Sequence, residues 1–239
     1  MDVSLLSDDC WGLGVKLQKQ MLNAAHDAAV FRRRVRVLAA HISKAIGPGE
    51  SVLDVGCGDG SIAQAVMTHR PELSFRGIDV MLRPHSAIPS QVYDGTTIPF
   101  ADKSFDWVTI VDVLHHTDDP AAVLRECVRV SRHGVIVKDH LREGVAANST
   151  LRFMDWVGNR GHDVRLPYNY PSKAEWNNMF ALLGIEPTRW TEALDLYPQP
   201  FSMLFDRGLH FVATVQRMNV DRLTPATPRQ TAQAGPVPA

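Results

Sequence analysis

The chain has little cysteine, no long apolar run and no excess of charge of either sign. Its three cysteines, Cys10, Cys57 and Cys127, are scattered along 239 residues, and such a set predicts neither a disulfide framework nor a zinc site. A net charge of −1 gives no electrostatic argument for a nucleic-acid partner. The basic cluster Arg32–Arg34, with Arg36, is expected to form a solvated helix face. No stretch is apolar over the length of a membrane span, and residues 1–10 carry acids rather than a secretory signal. These absences predict a cytoplasmic protein.

The composition is that of one globular domain with flanking segments. Hydrophobic residues make up 45% of the chain and charged residues 21%, which is ordinary for such a domain. Residues 15–46 predict one or two helices that end at the breaker Gly47–Gly49, so we assign 1–49 to an N-terminal helical segment. The main domain then covers 50–222. Residues 223–239 have almost no large apolar side chains and are predicted to be disordered.

Residues 52–60 form the most informative stretch. A short apolar run is followed by three glycines at alternate positions, Gly56, Gly58 and Gly60. The pattern predicts a buried strand, a tight turn and a helix from about Asp59. Because glycine has no Cβ, the backbone of such a turn can approach a ligand closely, and the first N–H groups of the helix point toward it. The loop therefore predicts a site for a nucleotide-like cofactor.

Two cofactor classes are compatible with a strand that runs into a glycine loop. The dinucleotide fingerprint requires a third glycine at the position where this chain has Ser61. The acidic residue that binds a ribose about 20 residues later is present as Asp79, which follows a second short apolar run. A carboxylate there can accept hydrogen bonds from both ribose hydroxyls in either class. At this point a nicotinamide cofactor stays open.

The order of the motifs that follow is more specific than any one of them. After the loop come Gly77–Val80, then Asp94–Phe100, and then a run from Trp107 to His116. In this order they resemble class I S-adenosylmethionine-dependent methyltransferases of the small-molecule type, which include quinone-biosynthesis methyltransferases. The resemblance covers about residues 50–137. It implies a Rossmann-like, three-layer fold with a mostly parallel seven-stranded sheet, S-adenosylmethionine as cofactor, and a small-molecule acceptor.

The resemblance also implies a role for each matching residue. The glycines would lie beside the methionine part of the cofactor, and Asp54 would orient its amino group. Asp79 would hold the ribose hydroxyls, Asp94 would meet the adenine amino group, and Asp112 would lie next to the sulfonium. The complete set of implied cofactor-binding residues is Asp54, Gly56, Cys57, Gly58, Gly60, Asp79, Val80, Asp94, Gly95, Val111 and Asp112.

The charges of the loop agree with this cofactor. S-adenosylmethionine has no pyrophosphate, so acids at Asp54 and Asp59 would suit its amino group and sulfonium, whereas they would repel a dinucleotide. The alternative for Asp59 is a helix N-cap, for which Asp is a preferred residue. An NAD(P)-dependent oxidoreductase is disfavoured by Ser61, and a cofactor-binding protein without turnover stays open.

Strands and helices alternate along the core, which predicts a parallel sheet with helices on both faces. The last two strands are expected to form an antiparallel hairpin. The predicted strands are Ser51–Val55, Ser74–Asp79, Gln91–Asp94, Trp107–Asp112, Gly134–Asp139, Ile185–Thr191 and Leu209–Val215. The predicted helices of the core are Ser61–Thr68, Pro120–Val130 and Lys173–Leu183. Ligands of such sheets bind at the carboxyl ends of the strands, where all the motifs above lie.

Residues 140–171 show no clear period and are predicted to form a lid that shapes the substrate pocket. Phe153, Trp156, Tyr168 and Tyr170 are dense in this stretch, which suggests a wall for an apolar or aromatic acceptor. The alternative is that these side chains pack the lid onto the domain. Oxygen or carbon acceptors are favoured, and the sequence gives no prediction of the oligomeric state.

Methyl transfer needs nucleophile and methyl group in line, and it needs a base only when the acceptor must lose a proton. His115 is the candidate for that base, since it follows the fourth strand and histidine titrates near neutral pH. His116 is expected to be a packing or capping residue. Several residues after the fourth and fifth strands could supply metal ligands: Asp112, His115, His116, Asp118, Asp139 and His140. No metal site is expected all the same, because Asp139 is followed by His140 where magnesium-dependent methyltransferases of this fold have an Asp-Asn pair.

Overall fold

Seven strands form one sheet in the described part of the chain, residues 29–158 and 167–218 of the computed structural model. In chain order they are β1 Ser51–Val55, β2 Ser74–Asp79, β3 Ser90–Val92, β4 Phe105–Val111, β5 Ser131–His140, β6 Ile185–Thr191 and β7 His210–Arg217. Their order across the sheet is β3-β2-β1-β4-β5-β7-β6. The first five are parallel, and β7 runs antiparallel to both β5 and β6. The predicted seven-stranded, mostly parallel sheet is confirmed.

Six α-helices are described, together with a short 3₁₀ turn at Leu114–His116. They are α1 (29–43), α2 Ser61–His69, α3 Pro120–Val130, α4 Ala147–Gly158, α5 Lys173–Leu182 and α6 Ser202–Phe205. Within the described ranges no helix has both the length and the apolar character that a membrane crossing requires.

The alternation of side chains along the strands builds two cores. Leu53 and Val55 of β1 pack into a cluster with Trp176 of α5 on one face of the sheet. Val52 packs into a second cluster with Leu38 of α1 on the other face. Successive strand residues point to opposite faces, so both faces of this apolar strand are buried. The result is the predicted three-layer arrangement.

Most element boundaries agree with the sequence prediction, and the differences have local causes. Strand β4 ends at Val111 rather than Asp112, because Asp112 takes a left-handed φ of 54° that cannot continue an extended strand. Helix α2 begins at Ser61, with Gly60 at the N-cap position. Asp59 is just outside the helix and accepts a hydrogen bond from the Ser61 N–H at 3.0 Å, an Asx-type turn.

Helix α4 lies within residues 140–171, where the sequence showed no clear hydrophobic periodicity and no helix was predicted. Ala147, Leu151 and Asp155 are buried at intervals of four residues, with exposed fractions of 3%, 0% and 7%, the spacing of one helix face. The pattern was hidden because the third member is charged. The predicted tail 223–239, residues 15–28 of the predicted N-terminal helices and residues 159–166 of the lid are outside the described residues.

Ser172 holds the start of α5, and this contact gives a test of the fold. Its side chain accepts a hydrogen bond from the Glu175 N–H, while the Glu175 side chain returns to the Ser172 N–H, a complete capping box. We expect Ser172→Ala to lower the free energy of unfolding by about 1 kcal/mol in urea titrations. Ser149→Ala, at an exposed position of α4, is the control and should change it by less than about 0.5 kcal/mol. Equal losses in the two variants would contradict the capping role.

Candidate functional site

The glycine loop joins β1 to α2, and its glycines are needed for different reasons. A Cβ on Gly56 would lie 2.2 Å from Cγ2 of Val113, so the loop packs too closely for any side chain there. Gly58 has a φ of 57°, yet nothing lies within 4 Å of where its Cβ would be. Gly60 has a φ of 73°, and its Cβ would press on Ile88. Gly56 and Gly60 therefore serve packing, whereas Gly58 borders open space.

Cys57 was predicted to line the cofactor loop, but its side chain turns back toward the sheet. Its Sγ is 3.5 Å from Oγ of Ser90, and a Cβ added to Gly77 would lie 2.5 Å from that sulfur. Burial raises the pKa of the Cys57 thiol to about 11. Only the backbone of Cys57 is therefore presented on the loop side.

Asp79 ties the end of β2 to the glycine loop. Its Oδ2 accepts a hydrogen bond from the Gly58 N–H at 2.8 Å, and its Oδ1 accepts one from the Met81 N–H at 3.0 Å. A carboxylate has about four acceptor sites, so each oxygen keeps capacity for a ligand hydroxyl. The position agrees with the predicted ribose contact.

Asp94 and Gly95 follow β3 at the same edge of the sheet. Oδ1 of Asp94 accepts hydrogen bonds from the N–H groups of Thr96 and Thr97, both at 2.7 Å. These bonds to the Thr97 and Thr96 N–H groups lower the pKa of the Asp94 carboxyl. Because both bonds use Oδ1, Oδ2 can meet an amino group.

An apolar cavity of about 500 Å³ lies beside these residues. Val80 and Gly95, two of the predicted cofactor residues, line it, and the loop glycine Gly56 touches another of its lining residues, Val113. Further lining residues are Met81, Tyr93, Thr96, His116, Thr117, Asp118, Asp119, Ala122 and Val123. An apolar slot lined by Val80 and Gly95, the residues that follow Asp79 and Asp94, fits the flat base and the polar sugar of an adenosine.

Asp54 is buried beneath the loop, with 6% of its surface exposed. Its Oδ1 accepts a hydrogen bond from Oγ1 of Thr109 on β4 at 2.7 Å. Burial raises the pKa of this carboxyl to about 6, although the bond to Thr109 opposes the rise. A cationic ligand group nearby would favour its charged form, as the predicted contact with an amino group requires.

A second, polar cavity of about 300 Å³ lies on the other side of the 3₁₀ turn. Helix α1, the ends of β4, β5 and β7, and helix α4 all contribute to it. Its lining residues are Arg34, Asp112, His115, His116, Lys138, His140, Met154, Asp155, Tyr197 and His210. His116 lines both cavities, so the two meet at this side chain.

Asp112 lines the polar cavity and not the apolar one, so its contact with the sulfonium stays a prediction. Its two carboxylate oxygens are held by the Arg34 guanidinium and the Lys138 ammonium. Burial would raise the pKa of Asp112, but Lys138 and then Arg34 hold it well below its ordinary value. The preceding residue, Val111, is half-buried and packs against the core with Leu38 and Val52.

Arg34 is a site residue that the sequence analysis missed, because the basic cluster was assigned to a solvated helix face. Arg32 and Arg36 are exposed as expected, whereas Arg34 reaches Asp112. A signal was present: Leu38 and Ile42, four and eight residues later, are fully buried. Positions four apart share a helix face, so Arg34 belongs to the inward side.

His115 and Asp139 form a buried pair at the floor of the polar cavity. Nδ1 of His115 is 2.6 Å from Oδ1 of Asp139, and the two side chains are 1% and 0% exposed. On its other side, Nε2 of His115 is 3.5 Å from Oδ2 of Asp155. Burial favours neutral His115, but the carboxylates of Asp139 and Asp155 hold its pKa above the ordinary value. Burial also favours neutral Asp139, yet the contact with His115 keeps its pKa low.

His116 and His210 each present a ring nitrogen without a protein partner among the described residues. These atoms are Nδ1 of His116 and Nε2 of His210, and both are buried. Burial and then the charge of His115 lower the pKa of His116 to about 4. His116 is therefore neutral near pH 7, and His210 has a pKa well below its usual range because it is buried beside Lys138. His116 thus presents an unpaired nitrogen at the two cavities, where the sequence predicted a packing or capping residue.

The aromatic side chains predicted to form a substrate wall do not line either cavity. Phe153 and Trp156 are 54% and 49% exposed on α4. Tyr170 is buried, and its hydroxyl donates a hydrogen bond to Oδ2 of Asp155. Tyr168 packs in the same small cluster as Tyr170. The alternative interpretation, that the aromatics of this stretch pack the lid, fits Tyr168 and Tyr170.

Comparisons with known proteins agree with this geometry. Residues 53–137 match the family described as "Methyltransferase domain". Demethylmenaquinone methyltransferase of Corynebacterium efficiens is 37% identical over 143 residues, covering 56% of each chain. Ubiquinone biosynthesis O-methyltransferase of Stutzerimonas stutzeri is 31% identical over 113 residues, which cover 42% of this chain and 47% of that protein. The chain thus spans about half the length of the curated relatives it matches.

A solved structure extends the fold comparison beyond the matched segment. An S-adenosylmethionine-dependent methyltransferase from Thermotoga maritima superimposes with a TM-score of 0.57 and 17% sequence identity. The superposition covers 83% of this chain and 97% of that chain, and at this identity it establishes the fold alone. Together with the sequence match, it favours the methyl-donor interpretation over the nicotinamide one. Residues 53–137 therefore match the methyltransferase-domain family, and the chain has the Rossmann-like fold of the solved methyltransferases.

Proposed function

We propose that this protein transfers a methyl group from S-adenosylmethionine to a small polar molecule held in the polar cavity. The observation that carries the proposal is that His116 lines both cavities. A methyl donor in the apolar cavity and an acceptor in the polar cavity would meet at this side chain. Such a junction is what an in-line displacement between two bound molecules needs.

The residues around the apolar cavity suit the parts of the cofactor in order. Asp94 and Asp79 would receive the adenine amino group and the ribose hydroxyls, with Val80 against the base. The open space beside Gly58 would admit the methionine part, and Asp54 would pair with its amino group. When bound, the cofactor supplies a methyl carbon already activated by the positive sulfonium.

The acceptor would be small and polar at the end that reacts. The cavity volume of about 300 Å³ suits a small molecule better than a folded protein or a nucleic acid. Its unpaired imidazole nitrogens on His116 and His210 call for a ligand that can form hydrogen bonds, since an unpaired buried polar atom costs about 1–3 kcal/mol. We therefore prefer a polar acceptor to the apolar or aromatic one suggested by the sequence.

Oxygen is the acceptor atom we favour, with carbon as the second choice. The relatives include proteins described as O-methyltransferases, and a hydroxyl fits a wall of histidines and carboxylates. An acceptor hydroxyl loses its proton as its oxygen takes the methyl group, and the thioether leaves uncharged. We assign His115 as the base that accepts this proton. Asp139 holds its ring in place through the 2.6 Å contact.

The free cysteines and the buried His115–Asp139 pair bear on the location of the protein and on turnover. Cys57 and Cys127 are both free thiols, which supports a reducing, cytoplasmic location. A protein that binds the cofactor without turnover would keep the apolar cavity but would gain nothing from the buried His115–Asp139 pair, so we rank catalysis first.

Gly58→Val tests the placement of the cofactor. A side chain there would fill the space beside the loop, so we expect binding of S-adenosylmethionine to be lost in calorimetry while the fold is retained. Gly49→Val is the matched control, because Gly49 also has a left-handed φ, of 74°, and nothing within 4 Å of its Cβ, but lies before β1 at the opposite edge. It should carry similar backbone strain and bind normally. Normal binding by Gly58→Val would refute the placement.

Asp79→Ala tests the ribose contact. The substitution removes a charged acceptor of two hydroxyls, so we expect the binding free energy of S-adenosylmethionine to weaken by about 1–3 kcal/mol. Asp79→Asn, which keeps the size and one acceptor oxygen, should weaken it less. Calorimetry with S-adenosylhomocysteine should show the same order. If both variants bind as tightly as the parent protein, Asp79 does not contact the ribose.

His115→Ala tests the proposed catalytic group. With a methylatable acceptor we expect kcat to fall about 10²- to 10⁴-fold, while the affinity for S-adenosylmethionine is unchanged because His115 lies outside the apolar cavity. His69→Ala, at an exposed position of α2, should leave kcat unchanged. Equal turnover by His115→Ala and the parent protein would reduce His115 to a structural residue.

A further inference from the structure

We propose that His115, His116 and Asp155 bind a divalent first-row transition-metal ion in the wall of the polar cavity. Each residue offers one ligand atom, a ring nitrogen or a carboxylate oxygen, and these atoms lie within 4.8 Å of one another. All three residues line the cavity. Two imidazoles and one carboxylate form a known donor set for such ions, with coordination positions left for other ligands.

The orientations of two of the proposed ligands, His115 and Asp155, are already fixed by their neighbours. Asp139 occupies Nδ1 of His115, so Nε2 is the nitrogen turned toward Asp155, at 3.5 Å from its Oδ2. The Tyr170 hydroxyl donates to the same carboxylate. A carboxylate behind a ligating histidine is the usual outer arrangement of metal sites, since it fixes the ring and its tautomer.

The remaining ligand, His116, gives an independent observation that points to a bound ion. Nδ1 of His116 is buried and has no hydrogen-bond partner among the described residues. The rings of His115 and His116 have their centroids only 3.9 Å apart, so one ion could contact both. A buried imidazole nitrogen without a partner costs free energy in the absence of a ligand, and a metal ion would remove that cost.

The local charge also favours a cation at this position. The carboxylates of Asp139 and Asp155 both approach His115, and a divalent ion would balance them. A neighbouring group of Asp112, His115, Asp139 and His140 has similar ligand spacing. We exclude it as the primary site because the Lys138 ammonium already contacts Asp112, and a second cation there would be repelled.

The donor atoms indicate which ions to expect. Imidazole nitrogen suits zinc, iron, nickel and copper, whereas magnesium and calcium prefer sites made of oxygen. The proposed site is thus distinct from a magnesium site of the Asp-Asn type. Such a site is not expected here, because His140 follows Asp139 where Asn would be needed. The sequence offered His115 and His116 as possible ligands but could not reveal Asp155, which comes from α4, 39 residues after His116.

This inference adds to the proposed function, and metal binding does not depend on it. An ion in the cavity wall would polarise an acceptor oxygen and ease the loss of its proton. His115 would then act as a metal ligand rather than as a proton acceptor, with the same loss of turnover on substitution. Metal binding itself needs neither cofactor nor acceptor, so it can fail while methyl transfer succeeds.

The test is a calorimetric titration of the full chain with Zn²⁺, after bound metal has been removed with a chelator. Absorption spectra of the Co²⁺-loaded protein then report whether nitrogen atoms coordinate the ion. We expect one tightly bound ion per chain and a higher melting temperature in its presence. His116→Ala should abolish this binding, and Tyr170→Phe, which removes only the hydroxyl behind Asp155, should weaken it about 10- to 100-fold. His133→Ala, at the opposite end of β5 beside Glu50, is the matched histidine control and should bind like the parent.

Three results would overturn the assignment. The first is the absence of stoichiometric Zn²⁺ uptake by the stripped parent protein. The second is equal affinity in the parent and in His116→Ala, which would place the ion elsewhere on the surface. The third is binding of Mg²⁺ in preference to Zn²⁺, which would exclude a nitrogen-rich site. Circular dichroism of each variant establishes that it is folded before its binding is compared.

Discussion

The carboxylate of Asp112, held between Arg34 and Lys138, is the interaction around which this site is organised. It joins three separate elements, since Arg34 comes from α1, Lys138 from β5, and Asp112 from the turn after β4. Lys138 is 1% exposed, and a buried ammonium must be paired to stay charged. Asp112 adopts a left-handed φ of 54° to reach this position, a strained conformation for a residue other than glycine. The ion pairs therefore hold α1 against the edge of the sheet that carries both cavities.

The same edge of the sheet produces two cavities of opposite character. Toward β2 and β3, the strand ends are followed by Val80, Gly95 and short apolar segments, which give a slot suited to a flat base. Toward β5 and β7, the strand ends at His140 and His210 carry imidazoles, and the adjacent cavity is polar. Because parallel strands all end at one edge, the division follows from which residues come after each strand. His116 lies at the boundary between the two regions.

The pKa values of the neighbouring residues His115 and His116 are shifted in opposite directions by their surroundings. His115 lies between two carboxylates, which hold its pKa up against the effect of burial. His116, in van der Waals range of His115, has no comparable partner and its pKa falls to about 4. Pairs of groups whose pKa values are pushed apart are typical of functional sites. The pair is consistent with a site built for a cation or for proton removal.

The sequence determined the fold and the positions of the residues to which we assign the cofactor. Regular alternation of apolar runs and helices, the glycine loop and the acids after β2 and β3 are local patterns, and each is set by residues close together in the chain. For that reason Ser51–Val55, Ser74–Asp79 and Ile185–Thr191 agree with the observed strands. The positions of Asp79 and Asp94 could also be predicted from the sequence. A residue at or just after the end of a parallel strand must lie at the carboxyl edge of the sheet.

The polar cavity, to which we assign the acceptor, was decided by the tertiary structure alone. Arg34, His116, Asp155 and His210 come from α1, the turn after β4, α4 and β7, and no local pattern relates them. Arg34 and Asp155 are charged residues at inward helix positions, so hydropathy assigned the first to solvent and concealed the helix that carries the second. Their burial is stable only because partners from other elements neutralise them, and those partners become neighbours only when the sheet assembles.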